Sequence, residues 1–274
     1  MATTADALAG ASPLSDHLSG ATRASVLDRW IYVFTAVGFI AIALAGFLPD
    51  SAHKMELIKL GSRAPFPLVL HLHALLMGSF LLLLLAQTTL AAMGRTDLHM
   101  QLGVVGMVLA PALVVVGFVL SPTMYHLALH TAQAAQGPAR AALMRGVRGA
   151  ENTMLLQFRA GILFPLLLFI GLRARTADPG LHKRLMILAV APALGAGFAR
   201  ISWLPTTLPG SPLSQDIDVL VAIAPMLVWD LTRNRRVHRA YWIALAATLP
   251  LALAVNGLWD TPWWHAAAKW MMRV

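Results

Sequence analysis

Between Pro65 and Gly103 the chain reads PFPLVLHLHALLMGSFLLLLLAQTTLAAMGRTDLHMQLG, a long apolar run, a tight turn and the start of a second run. About 20 mostly apolar residues cross the roughly 30 Å hydrocarbon core of a bilayer as a helix. The segment is therefore a membrane hairpin that turns at Gly94-Arg95-Thr96-Asp97. A helix facing only lipid has no use for His71, His73 and Gln87, because polar groups inside a membrane are costly and face a bundle interior, a partner or a ligand. The hairpin is expected to hold the functional core.

Composition extends this reading to the whole chain. Of the 274 residues, 58% are hydrophobic and 12% charged, with a mean hydropathy of +0.69. Soluble domains carry roughly a quarter charged residues. The formal net charge is +9, but the basic residues cluster at the ends of apolar runs. There they set topology and meet anionic headgroups, so the expected partner is the lipid bilayer and nucleic acid is not. The chain has no cysteine, which excludes disulfides, iron–sulfur clusters, thiolate metal sites and c-type haem attachment. Nucleotide-binding glycine patterns and a G-x-S-x-G nucleophile are absent.

The expected fold class is all-α, a polytopic membrane bundle of about seven transmembrane helices. Residues 1–29 are expected to form a disordered cytoplasmic tail and 30–274 a single helical domain. The spans are read at Trp30–Leu48, Pro67–Met93, Leu98–Leu120, Thr153–Leu172, His182–Trp203, Ser214–Thr232 and Tyr241–Leu258. Thr123–Asn152 is the longest connection, with a short helix ended by Gly137-Pro138 and an Ala-rich surface piece carrying Arg140, Arg145 and Arg148. Basic loops around Arg173–Arg184 and Arg233–Arg239 put the N-terminus in the cytoplasm and the C-terminus outside. Arg140, Arg145 and Arg148 oppose this orientation. The excess of Arg over Lys and the abundance of Ala suit a GC-rich bacterium, hence a bacterial inner membrane.

Two constellations carry the candidate chemistry. At the inner face, Arg95-Thr96-Asp97-Leu98-His99 and Arg175-Thr176-Ala177-Asp178-Pro179-Gly180-Leu181-His182 form a weak internal repeat, each ending in Leu-His as a helix opens. Small residues follow each histidine at helical spacing, including Gly103, Gly106 and Gly117 after His99. Either His99 and His182 ligate one haem iron across the bundle, or each caps its helix while the small stripe packs helices. In the outer half, His73, Arg159, Arg200 and one of Asp216 and Asp218 are candidates for a polar pocket. Histidine for iron and arginine for an acid group suit a haem b with its propionates, a quinone or a carboxylate substrate. The alternative is that the arginines reach the headgroups and the aspartates neutralise them. His126 and His130, one helical turn apart, with His71 or His73, are candidate metal ligands.

The motifs also resemble a known family. His73, Gln87, Gly94-Arg95, Leu98-His99 and Leu102-Gly103, then Leu181-His182-Lys183-Arg184-Leu185-Met186 and Ala199-Arg200, are similar to a bacterial multipass membrane family with a domain of unknown function. Gly257-x-x-x-Thr-Pro-x-Trp is similar too, so the resemblance covers roughly Pro65 to Trp270. Phe80 stands where members often carry Trp. The resemblance implies a helical membrane bundle but no reaction, and it favours His73 over His71 as the inward histidine. The hairpin also resembles di-haem membrane cytochromes of the b type, although the span Thr153–Leu172 lacks the histidine that a second haem would need. The expected function is haem- or quinone-associated electron transfer, with His73, His99 and His182 as ligands and Arg95, Arg159 and Arg200 as anion partners. A transporter or ligand-binding protein, or an accessory subunit without chemistry, is the alternative.

Overall fold

The computed structural model describes Asp16, Leu18 and residues 25–274, and every regular element among these residues is helical. Most of the expected tail lies outside the described residues. Helix α1 (Val26–Lys59) begins at Ser25, whose hydroxyl accepts the Asp28 N–H while the Asp28 carboxylate accepts the Ser25 N–H. Such reciprocal caps satisfy two donors that a helix start leaves orphaned. Helix α2 (Leu68–Ala92) and helix α3 (Thr96–Ala134) follow. The turn between them rests on Gly94 at φ +73°, a left-handed conformation that glycine adopts without a Cβ clash. Helix α4 (Gly137–Ala174) leads to α5 (Pro179–Val190), whose N-terminus is capped by the Asp178 carboxylate on Leu181 N–H at 2.9 Å. The chain continues through a 3-10 turn (Ala191–Leu194) and the short α6 (Gly195–Phe198), then α7 (Leu213–Asn234), α8 (Arg239–Leu258) and α9 (Pro262–Met272).

Among the described residues, six helical segments are long and apolar enough to cross a membrane: α1, α2, α3, α4, the α5–α6 run and α8. Their outward surfaces carry exposed Leu72, Leu75, Leu82, Val104, Val108, Phe118 and Leu253, a face suited to lipid. Helix α7 has sufficient length but carries three aspartates and an arginine. It nonetheless runs the full length of the bundle. Its first turn reaches Arg159 and Asn256 through Asp216, and its last reaches Asp28 through Arg233. The near end of the bundle holds Ser25, Gly94, Asp178 and Asn234; the far end holds the α3–α4 and α8–α9 connections.

Several expected boundaries are corrected. Pro49 does not end α1, which runs on to Lys59 and is supported there by the Lys54–Asp50 ion pair at 2.6 Å. Proline removes only one ladder bond, and membrane helices tolerate it. The expected long connection after Ser121-Pro122 is helix, interrupted only at Ala135-Gln136. Tyr125, Leu129, Ala132 and Val147 of this stretch pack with Leu155 and against Trp264 and Ala268 of α9, making a second core at the far end, while Leu143, Met144, Arg140, Arg145 and Arg148 stay exposed. The span expected over His182–Trp203 breaks at Pro192, which lacks the N–H for an α-helical bond.

The principal core is drawn from α1, α2, α4, α5, α7 and α8 around Phe39, Leu185, Ile187 and Met226, all fully buried. Its tightest crossing joins α1 to α6. A Cβ on Gly46 would run into the Gly197 carbonyl, while Gly197 has Ile42 O only 3.3 Å from its own Cβ position. Small residues let helix backbones approach this closely. Gly46→Ala is expected to lower the thermal unfolding midpoint in detergent, with an overpacking cost of about 1–3 kcal/mol. Gly38→Ala on the same helix, with nothing within 4 Å of its Cβ position, should leave it unchanged or raise it.

Candidate functional site

The two repeated histidines meet. His99, in the first turn of α3, and His182, in the first turn of α5, place their ring centroids 6.3 Å apart with planes at 88°. Each ring is held in the same way. His99 Nδ1 lies 3.2 Å from the carbonyl oxygen of Gln87 on α2, and His182 Nδ1 lies 2.9 Å from that of Gly171 on α4. Carbonyls only accept, so Nδ1 carries a proton in both rings, which leaves Nε2 the nitrogen available to a ligand in the neutral imidazole. The repeat thus extends to the hydrogen bonds: each histidine reaches back to the preceding helix, eleven or twelve residues earlier. Arg175 and Lys183 lie close enough to His182 to act on it electrostatically. Arg95 is exposed beside the pair, with only a loose 3.9 Å approach to Asp97.

The small stripe after His99 packs helices. A Cβ at Gly103 would sit 3.5 Å from Gln87 Nε2, one at Gly106 would sit 3.2 Å from Leu83, and one at Gly117 would sit 4.0 Å from His73. Gln87 therefore belongs to the α2–α3 contact beside His99, as its distance along the helix from His73 requires. A shallow apolar groove of about 410 Å³, lined by Leu90, Leu98, Gln101, Leu102 and Val105, lies between α2 and α3.

The expected outer pocket does not assemble. Arg159 is buried and bonded to Asp216, which also accepts from Asn256 at 3.0 Å. Arg200 pairs instead with Asp50 at 3.3 Å and lies over Phe47, 4.5 Å from the ring centre. His73 turns toward α3, and its Nδ1 is buried without a partner. Each arginine is committed to its own carboxylate because the two sit on different helix pairs. His71 is exposed and packs edge-on to Phe66 at 6.1 Å. His126 and His130 stack at 6.2 Å on α3. Among the described residues no group of three or more His, Asp or Glu is arranged to hold a metal ion.

Two polar clusters escaped the sequence. At the near end, Arg184 is fully buried and makes a two-point pair with Asp230, at 2.5 and 2.9 Å, together with bonds to Asp16 and to Gly180 O. Beside it, Asp28 is fully buried and accepts from Arg233, Trp229 and Ser25. At the far end, Glu151, His265 and Asp260 form a chain between α4 and α9. His265 holds the Asp260 carboxyl below its ordinary value, with help from Asn152 and Arg148. These charges stand at the ends of apolar runs, which the sequence reading assigns to headgroups. The available signal was the presence of opposite charges at matching depth on different spans.

No family model, curated protein or solved structure matches the chain.

Removing one member of a buried pair strands the other charge and costs about 3–5 kcal/mol. Arg184→Gln and Asp230→Asn are each expected to lose that much in chemical unfolding, and the double variant is expected to lose less than their sum. A pH effect should arise at His238, whose Nδ1 accepts the Ala240 N–H at the start of α8. Burial, and then the charge of Arg184, hold its pKa below the ordinary 6.5. The unfolded chain therefore binds this proton first. The contribution is full above about pH 6.5 and is lost as the pH falls through the lower folded value. His238→Asn, which keeps a capping acceptor, should flatten thermal stability measured across that window.

Proposed function

We propose that the chain is a bacterial inner-membrane redox protein in which His99 and His182 would hold one b-type haem. One observation carries this reading, the facing pair itself. Their ring centroids stand 6.3 Å apart, close enough for both imidazoles to reach one iron. Ligating histidines typically donate their other ring N–H to a carbonyl, which fixes the tautomer and orients the ring. The Gln87 and Gly171 carbonyls occupy that role. Two such histidines would suit a haem iron, and a bound haem would supply one-electron transfer.

The chain's own residues then have definite tasks. Gln87 O and Gly171 O hold both Nε2 atoms available. Arg95, Arg175 and Lys183 supply positive charge near the ring pair for carboxylate substituents. Arg159 and Arg200, already bound to aspartates, serve the bundle rather than a cofactor. The groove lined by Leu98 and Leu102 offers an apolar approach from the bilayer for a quinone partner. With basic residues dense at the near end, the N-terminus lies in the cytoplasm and the C-terminus outside.

The test is a reduced-minus-oxidised absorption spectrum of protein purified in mild detergent after expression with haem supply. Soret and α bands are expected, and His99→Ala or His182→Ala should abolish them while His73→Ala leaves them in place. Absence of both bands in the unmodified protein would sink the reading.

A further inference from the structure

The far end carries a polar cavity that the redox reading leaves unused. Glu151 is fully buried. Its carboxylate accepts from Tyr125 Oη at 3.2 Å and lies 2.5 Å from His265 Nδ1, and its backbone carbonyl accepts from Trp264 Nε1 at 2.8 Å. His265 Nε2 is 2.9 Å from Asp260. Above this chain opens a cavity of about 240 Å³ lined by Arg148, Glu151, Pro262, His265 and Lys269.

Glu151 and Asp260 are hydrogen-bonded within the His265 chain and to Asn152, and Arg148 approaches Asp260 only to 3.8 Å with both side chains 60% exposed. Lys269 has no acidic partner among the described residues. The ammonium of Lys269 therefore stands unpaired at the cavity mouth, beside the loosely held guanidinium of Arg148.

Depth indicates what would neutralise it. About 39 Å of helix at 1.5 Å per residue separates His99, beside the near-end turn, from Tyr125. A bilayer measures about 30 Å across its hydrocarbon and about 40–45 Å with its headgroups. The level of Tyr125 and Glu151 thus falls in the opposite headgroup layer, where phosphate is the abundant anion. Trp263 and Trp270 of α9 are 66% and 79% exposed, as befits an aromatic belt at that interface.

We propose that this cavity binds an anionic phosphate group, with Arg148 and Lys269 as its cations and the Glu151–His265–Asp260 chain as the strut that holds α9 against α4. A guanidinium meets phosphate oxygens in pairs and an ammonium adds a point charge. A phospholipid headgroup and free phosphate offer the same chemistry. The site shares no residue with the haem pair, so the two readings fail separately. It also accounts for Arg148 standing where the orientation rule disfavours a basic residue.

The test uses delipidated full-length protein in a neutral detergent, read by tryptophan emission and thermal unfolding midpoint. Short-chain phosphatidylglycerol, short-chain phosphatidylcholine and inorganic phosphate are titrated separately. Saturable binding of phosphatidylglycerol, with little response to the zwitterionic lipid, is expected. Loss of a charged hydrogen bond should weaken it about tenfold or more in Arg148→Gln and in Lys269→Gln, while Lys269→Arg retains it. A response to phosphatidylglycerol alone identifies a headgroup; a response to inorganic phosphate with the same variant sensitivity identifies the free anion. No saturable response to either, or wild-type affinity in both glutamine variants, overturns the proposal.

Discussion

Charge matching across helices fixes one face of α7 against the bundle. Asp216 meets Arg159 of α4, Asp230 meets Arg184 of α5, and Arg233 meets Asp28 of α1. An ionised group in hydrocarbon is costly unless paired and hydrogen-bonded. A helix with these side chains would not stay in lipid alone. Its neighbours carry the complementary charges at the same depths, so α7 runs end to end among six more apolar segments. The pairs also set register: sliding α7 by one turn would strand charges at both ends together.

Close backbone contacts do for the remaining helices what charges do for α7. Gly46 against Gly197, and Gly106 against Leu83, bring helices near enough to interlock without polar groups. The α3–α4 hairpin departs from this pattern because its 39- and 38-residue helices, about 58 Å long at 1.5 Å per residue, outrun the bilayer. The excess length is covered by α9 through the second core and the Glu151–His265 pair.

Much of the architecture was legible in the chain. Runs of about 20 apolar residues are dictated by the thickness of hydrocarbon, and the Gly94 turn by a backbone that needs φ near +73°. The Arg95–His99 and Arg175–His182 repeat marked the two histidines that meet. Helix ends were less legible. Pro49 and Pro122 read as stops, yet both lie inside helices whose packing outweighs one missing bond. The outer pocket was misread because residues with complementary chemistry at similar depth need not share a helix pair: Arg159 and Arg200 face different neighbours.

By itself, then, the sequence determined that this chain is a multispan helical bundle, because apolar length and the cost of unpaired backbone groups in lipid leave little else. It also determined that His99 and His182 occupy equivalent positions, because the repeat is written in the residues. Tertiary structure alone decided that those rings stand 6.3 Å apart, that Arg184 and Asp28 are fully buried, and that Glu151, His265 and Asp260 form one chain. Those outcomes depend on which faces of non-neighbouring helices meet, a quantity set by rotation and register that no single segment encodes.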